Sequence, residues 1–188
     1  MIEIPVEAIS KIRDLPKPLI VGVSGLGGAG KSSFANALGE SIGAPIIGVD
    51  SFRKNRTDHG YSMWEIMDYP RLVTQVIKPF LAGEESIRYG HLGRTTNGIR
   101  LDKTVRAEGI IIIEGVGLFR AGLKDYLGYK VWVDCPVEEA IARGKKRDRE
   151  EHQDPQDESW DGIWKRNDQE YVSKYKPKEQ ANLVFSNC

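Results

Sequence analysis

Apolar and polar positions follow two rhythms along this 188-residue chain. Short, nearly unbroken apolar runs recur at PLIVGVS (Pro18–Ser24), APIIGV (Ala44–Val49), GIIIIEG (Gly109–Gly115), YKVWVD (Tyr129–Asp134) and NLVF (Asn182–Phe185). Runs rich in Val, Ile and Leu suit buried strands. Between them the spacing changes to three and four residues. Val6, Ile9 and Ile12 predict a short leading helix, and Phe34, Ala37, Leu38 and Ile42 a longer one that Gly43 can end. Leu72, Val76 and Phe80 share one face of a helix in YPRLVTQVIKPFLAG. Pro136 opens a charged helix, PVEEAIARGKKRD, and residues 159–175 read as helical. From Ser86 to Lys103 the pattern is irregular and short-stranded, with Asn97-Gly98 as a hairpin turn. Strands alternating with helices predict an α/β layered domain with a mainly parallel sheet. No internal repeat or low-complexity linker divides the chain, so residues 1–188 are expected to form one domain.

The first strand runs into SGLGGAGKSS (Ser24–Ser33), which holds four of the 20 glycines. The spacing is Gly25-x4-Gly30-Lys31-Ser32, set between a strand and a helix. That is a phosphate-binding loop. Gly25, Gly27, Gly28 and Gly30 let the backbone turn tightly and approach a ligand. With Leu26 and Ala29 between them and Ser33 after them, they present successive N–H groups as an anion nest. The helix start adds unpaired donors and the positive end of its dipole. Lys31 brings a mobile charge to the β- and γ-phosphates, and the Ser32 hydroxyl is a hard oxygen ligand for Mg²⁺. A glycine-rich strand-to-helix turn with an incidental lysine is the structural alternative.

Composition narrows the picture. Lys plus Arg and Asp plus Glu balance at 27 each, so no global charge points to nucleic acid or an anionic membrane. No apolar run approaches a membrane span, and the N-terminus lacks a signal-peptide pattern. Two cysteines, Cys135 and Cys188, suggest neither a disulfide framework nor a zinc site. A reduced, cytoplasmic setting is the simplest expectation. His59, His91 and His152 are scattered without metal-ligand spacing, and surface or loop roles are expected for them.

In parallel sheets, ligands bind beyond the carboxyl ends of the strands. Asp50, Glu114 and Asp134 fall there. Glu114 is a candidate Mg²⁺ partner, direct or through water, or else a cap for the following turn. Asp50, in DSF, can accept the proton of an attacking hydroxyl or cap the next segment. Asp134 is read as the cap of the helix that Pro136 opens.

The ordered set SGLGGAGKSS, VDSFRKN, MDYP, IIIEG and VWVDCPVEEAIARGKKRD resembles the uridine kinase and phosphoribulokinase family of phosphate-loop kinases, over about residues 18–185. The resemblance implies a three-layer α/β fold with a helical lid near 144–160 and an irregular acceptor-side insertion near 86–104. It implies ATP as phosphoryl donor, Mg²⁺ as cofactor and a small-molecule hydroxyl as acceptor, first of all that of uridine or cytidine. Asp50 matches the family's general base and metal-associated aspartate, and Asp68 in MDYP the aspartate that binds ribose hydroxyls. Asp68 otherwise reads as a carboxylate before a proline-started helix. Tyr89 resembles a tyrosine near the acceptor, or is a strand residue packed on the core. Arg143 and Arg147, four apart on one helix face, match lid arginines that stabilise charge on the moving phosphoryl group. A solvated basic face is the other reading. No nucleic-acid or membrane partner is implied, and a homo-oligomer is left open.

Departures from the family pattern bear on the acceptor. Where nucleoside kinases read DSFY, this chain has Arg53, followed by Lys54 and Arg56. An arginine there can bind a phosphate or carboxylate on the acceptor. The lid segment REEHQDPQDES (Arg149–Ser159) is mostly acidic and should repel triphosphate unless it faces away or pairs with basic groups. YGHLGRTTNGIR is also unlike the usual continuation. Nicotinamide riboside, pantothenate, glycerate or a sugar phosphate are alternative acceptors. A nucleotide-binding regulatory protein with little phosphotransfer is a further alternative. A GTP switch is disfavoured, because KRND (Lys165–Asp168) lies in a helix and has the wrong order for guanine reading.

Overall fold

A computed structural model describes residues 2–54, 64–91 and 101–187. The leading helix α1 spans Val6–Asp14 and precedes strand β1, Leu19–Gly25. The phosphate-loop stretch then enters α2, Lys31–Ile42, which ends on Gly43 in the left-handed conformation, φ 69°. Strand β2 is Ile46–Gly48, shorter than the apolar run predicts, because a 3₁₀ turn, Val49–Phe52, begins at once. The helix predicted after Asp68 exists as α3, Tyr69–Leu72, a π segment, Val73–Ile77, and α4, Lys78–Leu81. Pro79 lacks the N–H an α-helix would donate, and the neighbouring backbone widens. Leu72, Val76 and Phe80 are all buried, as their spacing predicts.

The irregular stretch holds an antiparallel pair, β3, Ser86–His91, with β4, Leu101–Arg106. The Asn97-Gly98 turn, Arg56 and His59 lie outside the described residues. Strand β5 is Ile110–Glu114 and β6 is Tyr129–Asp134. Helix α5, Val137–Glu150, follows Pro136. A last helical run joins α6, Asp157–Ser159, a π segment, Trp160–Trp164, and α7, Lys165–Tyr175. Strand β7, Leu183–Ser186, closes the fold.

The main sheet has the order β2-β5-β1-β6-β7, and every pairing is parallel. All seven residues of β1 and the first four of β5 are buried. Successive strand side chains point to opposite faces, so these strands are covered on both. This is the three-layer arrangement. Edge strand β7 alternates half-buried and exposed, and Val184 is outward. Among the described residues no helix is long and apolar enough to cross a membrane.

One expected cap is absent. Asp134 does not cap α5; its carboxylate accepts from Trp132 Nε1 at 2.9 Å and Lys178 Nζ at 2.6 Å. Burial opposes its ionisation, but these two donors outweigh burial and hold the carboxyl below its usual range.

Candidate active site

The site forms where β1, β5 and β2 end side by side. The register aligns Val23 with Glu114 and Gly48 with Glu114, so both neighbours of β5 meet at that carboxylate. Ser32, in the first turn of α2, donates to Glu114 Oε1 at 3.4 Å. Burial pushes the Glu114 carboxyl up, the Lys31 charge pulls it down, and Asp50 pushes it up again. Those opposing influences place Lys31, Ser32, Glu114 and Asp50 in one electrostatic neighbourhood. Asp50 itself is exposed in the 3₁₀ turn, two residues past the end of β2.

The loop turns through two glycines in the left-handed region. Gly28 and Gly30 have φ of 80° and 90°. Lys31 is buried and its Nζ donates to Leu26 O at 2.8 Å, folding the ammonium over its own loop. Gly28 also lets α5 approach. A Cβ there would lie 2.0 Å from the Ala140 carbonyl oxygen. Gly28→Ala therefore meets both a forbidden φ and a backbone clash, and a loss of roughly 3 kcal/mol or more in stability is expected. Thermal unfolding of the variant against the parent checks it; an unchanged midpoint would contradict the packing.

The acceptor-side candidates are close to one another but already engaged. Asp68 caps α3, with Oδ1 accepting from Arg71 N at 3.1 Å and Oδ2 3.5 Å from Arg71 Nε. Arg71 also reaches the Gly90 carbonyl and the Ser51 carbonyl, and its guanidinium lies 4.7 Å from the Phe52 ring centre. Tyr89 stacks on Phe52 at 5.3 Å and is 2% exposed, so the core-packing role is present. Its hydroxyl has no partner among the described residues. Arg53 bridges Met67 through the backbone and is half-buried. His91 is not a surface residue in a loop: it lies in β3, with Nδ1 2.8 Å from Ser51 Oγ. Sequence reasoning passed over Arg71, which joins the DSF turn, α3 and β3.

On the lid side, Arg143 pairs with Glu139 at 3.0 Å and donates to the Asn187 carbonyl. Asn187 in turn donates from Nδ2 to Ala29 O at 2.8 Å, so Arg143 reaches the phosphate loop through the end of β7. Arg147 instead lies 3.0 Å from Asp148, which is fully buried. Asp148 also accepts from Trp160 Nε1 at 2.8 Å and contacts His152 Nδ1 at 2.9 Å, giving that histidine a partner in the lid. The acidic lid is paired in part. Lys145 meets Asp161 and Asp157, Arg149 meets Asp157, and Lys146 lies 4.0 Å from Glu150. The anticipated repulsion is thereby reduced.

Trp160 lies against the loop. A Cβ on Gly27 would come within 3.0 Å of its ring, and one on Gly144 within 2.3 Å. One helix further, Asp168 accepts from Gly27 N at 2.9 Å and from Trp64 Nε1 at 3.2 Å. It is 4% exposed. Burial raises its carboxyl to about 6, against the pull of Lys31. Its contribution to stability is full below its unfolded value and is lost as pH rises through about 6. In the sequence Asp168 stands out only as the last residue of KRND, whose order is wrong for guanine reading. The available signal was a single acid in the stripe Trp160, Trp164, Asp168, Tyr171, Tyr175, which shares one helix face.

No protein-family model matches the chain. It is 31% identical over 150 residues to a uridine kinase of Salmonella paratyphi B, covering 69% of this chain and 68% of that one. The chain belongs to the uridine kinase-like family of phosphate-loop kinases. It is 25% identical over 144 residues to uridine-cytidine kinase A of Dictyostelium discoideum, covering 72% of this chain but only 29% of that longer protein. Two solved structures share the fold. One, described as a possible uridine kinase from Bacillus stearothermophilus, has a TM-score of 0.71 at 18% identity and covers 95% of both chains. The other, provisionally assigned as a fructose transport system kinase from Silicibacter sp. TM1040, has a TM-score of 0.74 at 20% identity and covers 92% of this chain and 91% of its own. This uridine kinase-like chain is thus a phosphotransferase by kinship, with a nucleotide-binding phosphate loop.

Proposed function

We propose that the protein transfers the γ-phosphoryl group of ATP, with Mg²⁺, to a hydroxyl of a nucleoside such as uridine or cytidine. The observation that carries this reading is the convergence of Lys31, Ser32, Glu114 and Asp50 at the ends of three adjacent strands. The donor set fits a hard dication: a serine hydroxyl beside a half-buried carboxylate that lacks a full countercharge. Among the described residues no three His, Cys, Asp or Glu cluster as a metal site of their own, which suits an ion delivered on nucleotide phosphates. Ser32 and Glu114, with Asp50 near, would hold it, and it would neutralise charge on the phosphates.

The chain's own residues supply the remaining steps. The amides of residues 25–33 cradle the phosphates, and Lys31 swings its ammonium onto them. Asp50, exposed at its turn, accepts the proton of the attacking hydroxyl. Asp68 orients the acceptor with the lone pairs that Arg71 leaves, while Tyr89, packed on Phe52, backs that side from the core. Arg143 and Arg147 come in with the lid and exclude water, a competing acceptor.

A second acceptor class is favoured by one observation. A cavity of about 510 Å³ is lined by Lys54, Arg120, Tyr69 and Glu65 among others, next to Asp68. The guanidinium of Arg120 lies 4.6 Å from the Tyr69 ring centre. Two cations against one carboxylate suit an acceptor that carries a phosphate or carboxylate. The test is ADP release with ATP and Mg²⁺ against a panel of nucleosides, vitamins, hydroxy acids and sugar phosphates. Uridine- or cytidine-dependent release is expected. Release stimulated only by an anionic acceptor would replace the nucleoside, and ATP binding with no acceptor-dependent turnover would favour a regulatory protein.

A further inference from the structure

The carboxylate of Asp168 occupies a place where a kinase has use for an anion. It takes the Gly27 amide at 2.9 Å, within the nest, and feels the Lys31 charge. Lys31 Nζ rests on the carbonyl of Leu26, the residue next to Gly27, so ammonium, amide and carboxylate share one small volume. In phosphate loops the lysine serves the β- and γ-phosphates while the inner amides cradle the α- and β-phosphates. Asp168 holds one of those amides and also feels the lysine charge, which sets it on the lysine's side of the cradle.

We propose that Asp168 is a donor-specificity and positioning residue, whose carboxylate stands at the terminal-phosphate end of the loop and must yield its place or its charge when a nucleoside triphosphate binds. The inference deepens the kinase reading and rests on it. Two like charges within a few ångströms in a buried setting repel strongly. Asp168 thus penalises a triphosphate more than a diphosphate. The same carboxylate binds Trp64 Nε1, and Trp64 lies in the acceptor-side segment before Asp68. Displacement of the carboxylate from Gly27 releases a tie between the donor loop and the acceptor side, which links filling of one to rearrangement of the other. The groups facing Asp168 are Lys31 from α2, the Gly27 amide, the indole of Trp64 and, on its own helix, the phenol of Tyr171. Of these only Lys31 is charged at neutral pH, and it favours the ionised carboxylate, so removal of the Asp168 charge takes away one of the two carboxylates, with Glu114, that share Lys31.

The experiment is calorimetric titration of the full chain with Mg²⁺ and either a non-hydrolysable ATP analogue or ADP, for the parent, Asp168→Asn and Lys31→Ala. For Asp168→Asn the analogue should bind roughly tenfold tighter while ADP affinity changes less than threefold. Asp168→Ala should shift the analogue-to-ADP ratio the same way, and it replaces the Asn variant if that one melts early. A merely structural Asp168 would weaken both ligands together and leave their ratio unchanged, and that result overturns the proposal. Failure of the parent to bind either nucleotide, or equal binding by Lys31→Ala, would instead overturn the kinase reading beneath it.

Discussion

Asp50→Asn is expected to lower turnover by roughly 10²- to 10⁴-fold, the range of a lost general base, while nucleotide affinity changes less than about threefold. The expectation follows from where Asp50 stands. It is exposed, it belongs to a four-residue 3₁₀ turn, and that turn has no side-chain cap bond. The capping alternative therefore lacks support, and removal of the charge should leave the fold intact. Asparagine keeps the shape and one acceptor oxygen but cannot hold a proton from a hydroxyl at neutral pH. Its effect should appear in the maximal rate. Steady-state kinetics with saturating ATP and the best acceptor, together with a nucleotide titration, separate the two quantities. Equal turnover in both proteins would remove Asp50 from the chemistry.

Lys31→Ala is the second large effect. It should weaken binding of the ATP analogue by at least tenfold and reduce turnover by roughly 10³-fold, because a buried ammonium is lost from the phosphate site. The side chain has two further connections. Its Nζ satisfies the Leu26 carbonyl, and its charge lowers the carboxyls of both Glu114 and Asp168. Without it those two carboxylates lose their common countercharge, and both rise further. Uptake of protons by the fold near neutral pH should then be greater in the variant. Nucleotide titration and turnover measured together decide the matter; parental values for both would refute the assignment of the loop.

Local patterns carried most of the fold. The apolar runs marked all five strands of the main sheet, the three-four spacing marked the first helices and Pro136 marked α5, because these signals are written in adjacent residues. The phosphate loop was legible for the same reason: its glycines, lysine and serine act within ten consecutive positions. What could not be read depends on residues far apart in sequence. Asp134 looks like a helix cap from its neighbours, yet its partner Lys178 lies 44 residues away. Asp68 was legible as a carboxylate before a proline-started helix, but the Arg71 network that binds it to Gly90 and Ser51 was not. Asp168 sits 141 residues from the Gly27 amide it meets, and Asn187 lies 158 from Ala29. The acidic lid shows the converse. Its charges suggest repulsion, and pairing of Asp157 and Glu150 with Lys145, Arg149 and Lys146 on α5 offsets part of it.

The most direct test of the central claim is a crystal structure with Mg²⁺ and a non-hydrolysable ATP analogue. The account predicts the triphosphate wrapped by residues 25–33, the ion on Ser32 with Glu114 behind it, and the terminal phosphate between the Lys31 ammonium and the Asp50 carboxylate. A triphosphate bound elsewhere, or a terminal phosphate beyond the reach of Asp50, would contradict it.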